Sequence, residues 1–453
     1  MADLDHHSPF TLPLPTLTFT LPSLHDGLPL DCRVYHSQPL APSLPKNLPA
    51  QSWQRHAAIV AHPYAPLGGC FDDPVVDIVA STLLRLGFLV MTFNFRGAHG
   101  SAGRTSWTAK AERADYMTAV GFVSHYVHFL DPFRRPPTPD SGSGQAPTSE
   151  TPILLLSGYS YGAMITTQLP SLPTILAPFD TPMCGSPAAE IRLRAQHLAE
   201  RQNTILASAR AAVIDRQSGR SPRKSLGLRI GGDEENRRKS HDSRHSFALE
   251  AEEKIRKGVA DLMTKARKGQ KRRHVSGEGS ALHHQGAEDD AVEEKEPHQE
   301  PAHDFLLPVP GRTVASPAYL LVSPLQGVIT NLATMSFPAP FARAAQKPAI
   351  VGKTGAHPGE LKPIAQPATL PVEAEEKLVR NPTLAVYGDR DGFVPARKLR
   401  QWASRLQEVP DSKFRAHEVS NAGHFWAQGK VAFTMRDAVQ TFAEGLLSES
   451  HGS

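Results

Sequence analysis

Residues 153–164 read ILLLSGYSYGAM, and this segment is the starting point for predicting the fold. The apolar run at its start predicts a buried strand, and the residues at its end favour a helix. Gly158 and Gly162 flank Ser160 in the pattern G-x-S-x-G between the two. Such a serine is either part of an ordinary tight turn or a nucleophile raised above the end of a sheet. The rest of the chain must distinguish these two interpretations.

Segments before residue 153 show the same succession of strand and helix. Residues 57–64 (AAIVAHPY) and 88–97 (FLVMTFNFRG) are short apolar runs typical of buried parallel strands. A helix is predicted between them, with Asp73 as its N-cap and Gly87 just after its end. This alternation predicts an α/β fold, in which a mostly parallel sheet is covered by helices on both faces.

Further elements are predicted towards both ends of the chain. Residues 16–35 alternate as two strands around an Asp26-Gly27 turn, and an amphipathic helix covers about 109–130. The C-terminal part is predicted to contain strands at 383–389 and 413–420 and helices at 395–407 and 429–447.

Residues 191–300 differ in composition from the rest of the chain. They hold 23 of the 49 Lys and Arg residues and 18 of the 45 Asp and Glu residues. We predict that they form a charged, disordered insertion between two parts of one core, 1–190 and 301–453. Because the remainder of the chain is nearly neutral, its basic character does not indicate a nucleic-acid partner.

The bulk composition is that of a soluble intracellular protein of 453 residues. Its three cysteines, Cys32, Cys70 and Cys184, fit no disulfide or metal framework, so we expect reduced thiols and a cytoplasmic location. The N-terminus is a poor signal peptide, and no apolar run is long enough to predict a membrane span. We expect neither a cofactor nor a metal, and we assign no protein partner to residues 191–300.

A nucleophilic serine needs an acid and a base near it. In a parallel sheet these side chains come from the carboxyl ends of the strands. Asp389 and Asp391 follow one predicted strand; we assign Asp389 to capping the next helix and choose Asp391 as the acid. His424 follows the last strand and is the predicted base, whereas His62, beside a proline, is predicted to be structural. The order Ser, Asp, His at three strand ends favours a nucleophile at Ser160.

An oxyanion formed by attack at Ser160 would need two backbone N–H donors. One is predicted at Tyr161, immediately after the serine, and the other at Tyr64, in the loop after the 57–64 strand. Donors of this kind typically stabilise the transition state by about 3 kcal/mol each.

Two motifs resemble those of a known family. Residues 62–69 (HPYAPLGG) are similar to H-P-x-P-x-x-G-G with the second proline displaced by one, and 93–103 (FNFRGAHGSAG) to F-N-F-R-G-x-G-x-S-x-G with His99 in place of a glycine. With Ser160, they resemble the α/β-hydrolase superfamily, and more narrowly its predicted hydrolases related to dienelactone-hydrolase-like and prolyl-peptidase-like enzymes. Dienelactone hydrolases proper use a cysteine nucleophile, so Ser160 argues against that activity.

The resemblance implies the α/β-hydrolase fold and an enzyme that acts on a small-molecule acyl substrate. The leading hypothesis is a serine hydrolase that cleaves an ester, thioester or amide through an acyl-enzyme. An acyltransferase would use the same three residues with another acceptor. A non-catalytic scaffold on the same fold is the alternative from a different class.

Overall fold

The computed structural model describes residues 11–40, 53–132, 151–217, 304–326 and 372–452, together with part of a short helix between 257 and 264. None of the helices in these ranges has an apolar stretch long enough to span a bilayer.

The described strands form one eight-stranded sheet. Its spatial order is β1-β2-β4-β3-β5-β6-β7-β8, in which β1 and β2 run antiparallel to their neighbours and the rest are parallel. This order and the crossovers between the parallel strands confirm the predicted α/β-hydrolase fold. The bounds are Leu17–Pro22 (β1), Pro29–Tyr35 (β2), Ala57–Ala61 (β3), Leu89–Phe93 (β4), Ile153–Tyr159 (β5), Ser316–Val322 (β6), Thr383–Gly388 (β7) and Phe414–Val419 (β8).

Helices cover both faces of the sheet. Successive residues of each buried strand point to opposite sides, so each strand presents apolar side chains to both layers of helices. Leu154 and Leu156 of β5 pack in one core cluster, and Ile153 and Leu155 pack in the other. The helices are Pro74–Arg85 (α1), Lys110–Phe129 (α2), Tyr161–Gln168 (α3), Leu172–Leu176 (α4), Pro187–Gln217 (α5), Val372–Arg380 (α6), Ala396–Gln407 (α7) and Val431–Gly452 (α8). Helices α1 and α8 share one face, and α2, α3, α5 and α7 share the other.

Helix α1 begins as the sequence predicts. The side chain of Asp73 accepts a hydrogen bond from the N–H of Val75 at 2.8 Å, and Pro74 occupies the first helical position. The apolar positions Val76, Val79 and Leu83 are buried against the sheet. The capped start matters for the site below, because it fixes the side chain of Asp73 at the same edge of the sheet as Ser160.

The predicted boundary at residue 190 is wrong. It falls inside α5, whose residues Ile191, Leu198 and Leu206 are buried in the core. The charged composition was misleading because Arg192 and Arg194 are themselves buried. Guanidinium groups can satisfy their donors with backbone carbonyls while their aliphatic stems pack against apolar surface. Globular structure therefore continues past residue 190.

Much of the predicted insertion lies outside the described residues. One described part of it is helical between 257 and 264, and Leu262 there packs against the core. The division of the chain into two core segments separated by an insertion remains a prediction.

The loop after β4 is held by an ion network in which Arg96 and Asp115 are buried and Asp26 is exposed. Arg96 donates to the carboxylates of Asp115, at 2.7 Å, and of Asp26, at 2.8 Å, and also binds the hydroxyl of Ser23. These carboxylates raise the pKa of the Arg96 guanidinium further, against the effect of burial. The arginine of the 93–103 motif therefore joins the first hairpin to α2 and has a structural role.

Candidate active site

Ser160 lies at the turn between β5 and α3, in a backbone conformation that is uncommon for a residue with a side chain. Its φ is 56° and its ψ is −112°, and its N–H donates to the carbonyl of Val322 on β6 at 2.8 Å. Backbone strain of this kind costs about 1–3 kcal/mol and persists where the surrounding structure imposes it. The turn thus holds the side chain of Ser160 above the carboxyl end of the sheet.

The two glycines of the motif allow the chain to pass close to itself. A Cβ on Gly158 would lie 2.3 Å from the carbonyl carbon of Gly162. A Cβ on Gly162 would lie 2.5 Å from the carbonyl oxygen of Ala61 at the end of β3. Neither approach tolerates a side chain, so both glycines are required by the packing of α3 against the sheet.

Three side chains from three strand ends meet at this turn. His424, in the loop after β8, has its Nε2 2.8 Å from the Oγ of Ser160 and its Nδ1 2.7 Å from the Oδ2 of Asp391. All three residues are buried. Because Nδ1 faces an acceptor-only carboxylate, it carries the proton, and Nε2 is left to accept the hydrogen bond from the serine hydroxyl.

The Asp391 carboxylate is itself fixed in place. Its Oδ1 accepts hydrogen bonds from the backbone N–H groups of Phe393 and Val394, at 2.8 and 3.0 Å. One oxygen is thus held by the backbone while the other faces the imidazole of His424. This arrangement orients the ring.

Asp389 does not have the predicted capping role. Helix α7 has Pro395 at its N-cap position and no side-chain cap. The Oδ1 atom of Asp389 is buried and has no hydrogen-bond partner within the described parts of the chain. Asp391, the aspartate nearer the helix, instead accepts a hydrogen bond from the N–H of Val394 in the turn that precedes α7.

A pocket of about 490 Å³ opens beside Ser160. Tyr64 and Tyr161, the residues predicted to supply the oxyanion donors, line this pocket together with Ser160 and His424. The N–H of Tyr161 is in the first turn of α3, so it has no partner inside the helix. The rings of the two tyrosines pack with their centroids 5.0 Å apart.

His62 has the structural role that the sequence predicts. The N–H of Phe95 donates to its Nε2 at 2.9 Å, and its Nδ1 donates to the carbonyl of Pro63. Burial lowers the pKa of the His62 imidazole to about 4. The ring is therefore neutral and joins the loop after β3 to the loop after β4.

Two contacts of the site were not apparent from the sequence. The hydroxyl of Tyr159 donates to the backbone carbonyl of His424 at 3.0 Å, and the indole of Trp426 donates to the hydroxyl of Ser323 at 3.1 Å. Both fix the loop that carries His424 onto neighbouring strand ends. Tyr159 occupies a variable position of G-x-S-x-G, so the motif gives no signal for it.

Comparison with known proteins adds little to this description. No protein-family model and no curated protein matches the chain. Similar solved structures include a serine hydrolase without a lid from Xanthomonas campestris, with 14% identity, a TM-score of 0.40, and coverage of 96% of this chain and 97% of that one. A serine hydrolase homologue from Coxiella burnetii has 13% identity, a TM-score of 0.37, and coverage of 95% and 99%.

Another similar structure is Est1E from Butyrivibrio proteoclasticus with ferulic acid bound. It has 11% identity and a TM-score of 0.36, and the match covers 93% of this chain and 97% of that one. Identities and TM-scores this low carry no argument about activity, so the fold assignment rests on the strand order of the chain itself.

Proposed function

We propose that this protein is a serine hydrolase that cleaves a carboxylic ester, thioester or amide through an acyl-enzyme intermediate. One observation carries the proposal: the imidazole of His424 is hydrogen-bonded at the same time to Ser160 and to Asp391. A general base needs its nucleophile within hydrogen-bond reach and a third group that fixes its tautomer. The three side chains meet both requirements.

In the first half-reaction, Ser160 Oγ attacks the acyl carbonyl while His424 Nε2 takes the hydroxyl proton. The carbonyl oxygen becomes negative in the tetrahedral intermediate and is stabilised by the N–H groups of Tyr64 and Tyr161. As the intermediate collapses, His424 gives the proton to the leaving alcohol, thiol or amine. Asp391 stays ionised and stabilises the imidazolium that forms between these transfers.

The second half-reaction repeats these steps with water as the nucleophile. His424 removes a proton from the water as its oxygen attacks the acyl-enzyme carbonyl. The second tetrahedral intermediate breaks its bond to Ser160 Oγ, which regains a proton from His424. The carboxylic acid then leaves and the enzyme returns to its starting state.

Covalent labelling tests the proposal directly. A fluorophosphonate probe should label the wild-type protein and fail to label Ser160→Ala. Ser157→Ala is the matched control, because Ser157 is a buried serine three residues earlier on β5 and does not line the pocket. Equal labelling of wild type and Ser160→Ala, or no labelling of correctly folded wild type, would overturn the proposal.

The same proteins should differ in turnover. Wild type and Ser157→Ala should hydrolyse p-nitrophenyl butyrate and release butyric acid, and Ser160→Ala should not. Release of p-nitrophenol without release of the free acid would contradict hydrolysis as the second half-reaction.

A further inference from the structure

The wall of the pocket beside Ser160 is rich in aromatic side chains. Six of its fourteen described lining residues are aromatic: Tyr64, Trp107, Tyr159, Tyr161, Phe393 and Phe425. Two of these form the outer rim, since Trp107 is 65% exposed and Phe425 is 66% exposed. The face of an aromatic ring carries partial negative charge, so such a wall attracts cations as well as apolar groups.

The fixed charge of this wall is negative. Asp73 is the one carboxylate among the described lining residues, and neither Lys nor Arg occurs among them. The pKa of the Asp73 carboxyl is raised above its usual value, chiefly by burial, although hydrogen bonds from the N–H groups of Val75 and Val76 and the nearby imidazole of His424 lower it.

The neighbouring acidic residue, Asp72, differs from Asp73 in its position and in its ion pairing. Asp72 does not line the pocket, and its side chain is 54% exposed. It forms an ion pair with Arg33, so its charge is largely neutralised outside the site. Two adjacent aspartates therefore carry the same formal charge, and only one of them faces the pocket.

We propose that Asp73 selects the charge of the substrate, so that the site prefers an ester bearing a positively charged ammonium group close to the scissile bond and disfavours an anionic one. The proposal rests on the proposed hydrolase function of the same site. The carboxylate attracts the ammonium group through space, and the aromatic wall provides further attraction without competing hydrogen bonds. An anionic substrate meets repulsion from the same carboxylate, and the described lining residues offer no Lys or Arg to compensate for it.

Three esters of nearly equal shape test the preference. Butyrylcholine is cationic, and 3,3-dimethylbutyl butyrate is its neutral isostere, in which carbon replaces the ammonium nitrogen. The 3,3-dimethylbutyl monoester of succinic acid is anionic and has an acyl chain of the same four carbons. For the wild-type protein we expect kcat/KM to fall in this order, by roughly tenfold at each step.

Asp73→Asn isolates the charge. Asparagine is as good an N-cap as aspartate, so the variant should keep the start of α1. The ratio of kcat/KM for the cationic ester to that for the neutral ester should fall about tenfold, and the ratio of the anionic to the neutral ester should rise. Asp72→Asn removes the same charge one residue away and should leave both ratios as in wild type.

The outcomes separate this inference from the proposed function. If p-nitrophenyl butyrate is hydrolysed but wild type shows no cationic preference, the charge selection is wrong and the hydrolase proposal stands. If Asp72→Asn changes the ratios as much as Asp73→Asn, the effect is a property of the whole surface and the assignment to Asp73 is wrong. If no ester is turned over and the fluorophosphonate does not label Ser160, both proposals fail.

Discussion

The loops after β3 and β8 each carry a buried histidine at the same edge of the sheet. In the first, both ring nitrogens of His62 are hydrogen-bonded to backbone groups, those of Pro63 and Phe95. In the second, the ring nitrogens of His424 are hydrogen-bonded to a carboxylate and a hydroxyl. The two histidines share burial and position and differ in the chemistry of their partners.

This difference decides what each ring can do. A backbone N–H and a carbonyl neither give up nor take a proton, so His62 is held neutral and serves as a cross-link. An ionised carboxylate stabilises a positive ring, and a hydroxyl provides the proton that makes it positive, so His424 is suited to move a proton. Burial of a histidine at a strand end is therefore not by itself a sign of catalysis.

The largest expected effect is at the loop after β8. His424→Ala removes the proposed base and should lower kcat for p-nitrophenyl butyrate by roughly three to six orders of magnitude. Ser160→Ala should cost a similar factor, and the double variant little more than either one, because the residues act as a unit. Steady-state kinetics with circular dichroism measures both activity and folding. Losses that multiply in the double variant would contradict a shared role.

The orientation of His424 gives the next prediction. Asp391→Asn should lower kcat by about 10⁴. The new amide oxygen can still accept from the N–H of Phe393 and of Val394, so its NH₂ group faces His424 Nδ1. Nδ1 must then be an acceptor, and Nε2 carries the proton and cannot take one from Ser160.

Asp389→Asn is the control for this change. Asp389 lies two residues earlier, is not among the described residues that line the pocket, and its buried Oδ1 has no hydrogen-bond partner in the described parts of the chain, so its variant should keep activity within about tenfold of wild type. Equal losses at the two positions would show that His424 is not oriented by Asp391 alone.

A substitution in the loop after β3 should lower the stability of the fold without removing catalytic activity. His62→Ala leaves the N–H of Phe95 and the carbonyl of Pro63 without their buried partner, which should lower the free energy of unfolding by about 3 kcal/mol. Urea denaturation measures this loss. His417→Ala, at an exposed position of β8, should change stability by less than about 0.5 kcal/mol. A drop in kcat of the folded His62 variant comparable to that of His424→Ala would remove the distinction between the loops.

A smaller effect should appear when pH is varied. The pKa of His62 is lowered to about 4 in the folded protein, so between that value and about 6.5 the unfolded chain binds more protons at this residue. His62 therefore stabilises the fold above pH 6.5, and this contribution declines as the pH falls towards 4.

Between pH 7 and pH 5, the lost contribution should be about 2 kcal/mol. His125, whose pKa burial also lowers to about 4, should add a similar slope. In urea titrations, the unfolding free energy of His62→Ala should thus fall less than that of wild type over this range. Parallel curves for the two proteins would show that His62 is not held neutral by the fold.

Much of the fold is encoded in local sequence. The apolar runs of the strands, the Asp73-Pro74 start of α1 and the Asp26-Gly27 turn act over a few residues, and the structure has them where the sequence predicts. The charged composition of residues 191–206 does not reveal their place in the core, because the core side chains of α5 lie beside arginines that are themselves buried. The composition of a segment gives its charge, but it does not show which carbonyl group each guanidinium group will bind in the folded chain.

The candidate site likewise depends partly on local sequence and partly on tertiary structure. Local pattern and chain order predict Ser160, Asp391 and His424 as the catalytic residues, since parallel strands place their carboxyl ends at one edge. The sequence also favours Asp391 over Asp389, but only the folded chain brings Asp391 within hydrogen-bonding distance of the imidazole and places Tyr159 and Asp73 in the same pocket. Ser160 and His424 are 264 positions apart, so their contact depends on the register and twist of every strand between them. Short-range preferences determine elements and their ends, whereas the partner of a buried polar group is set by long-range packing.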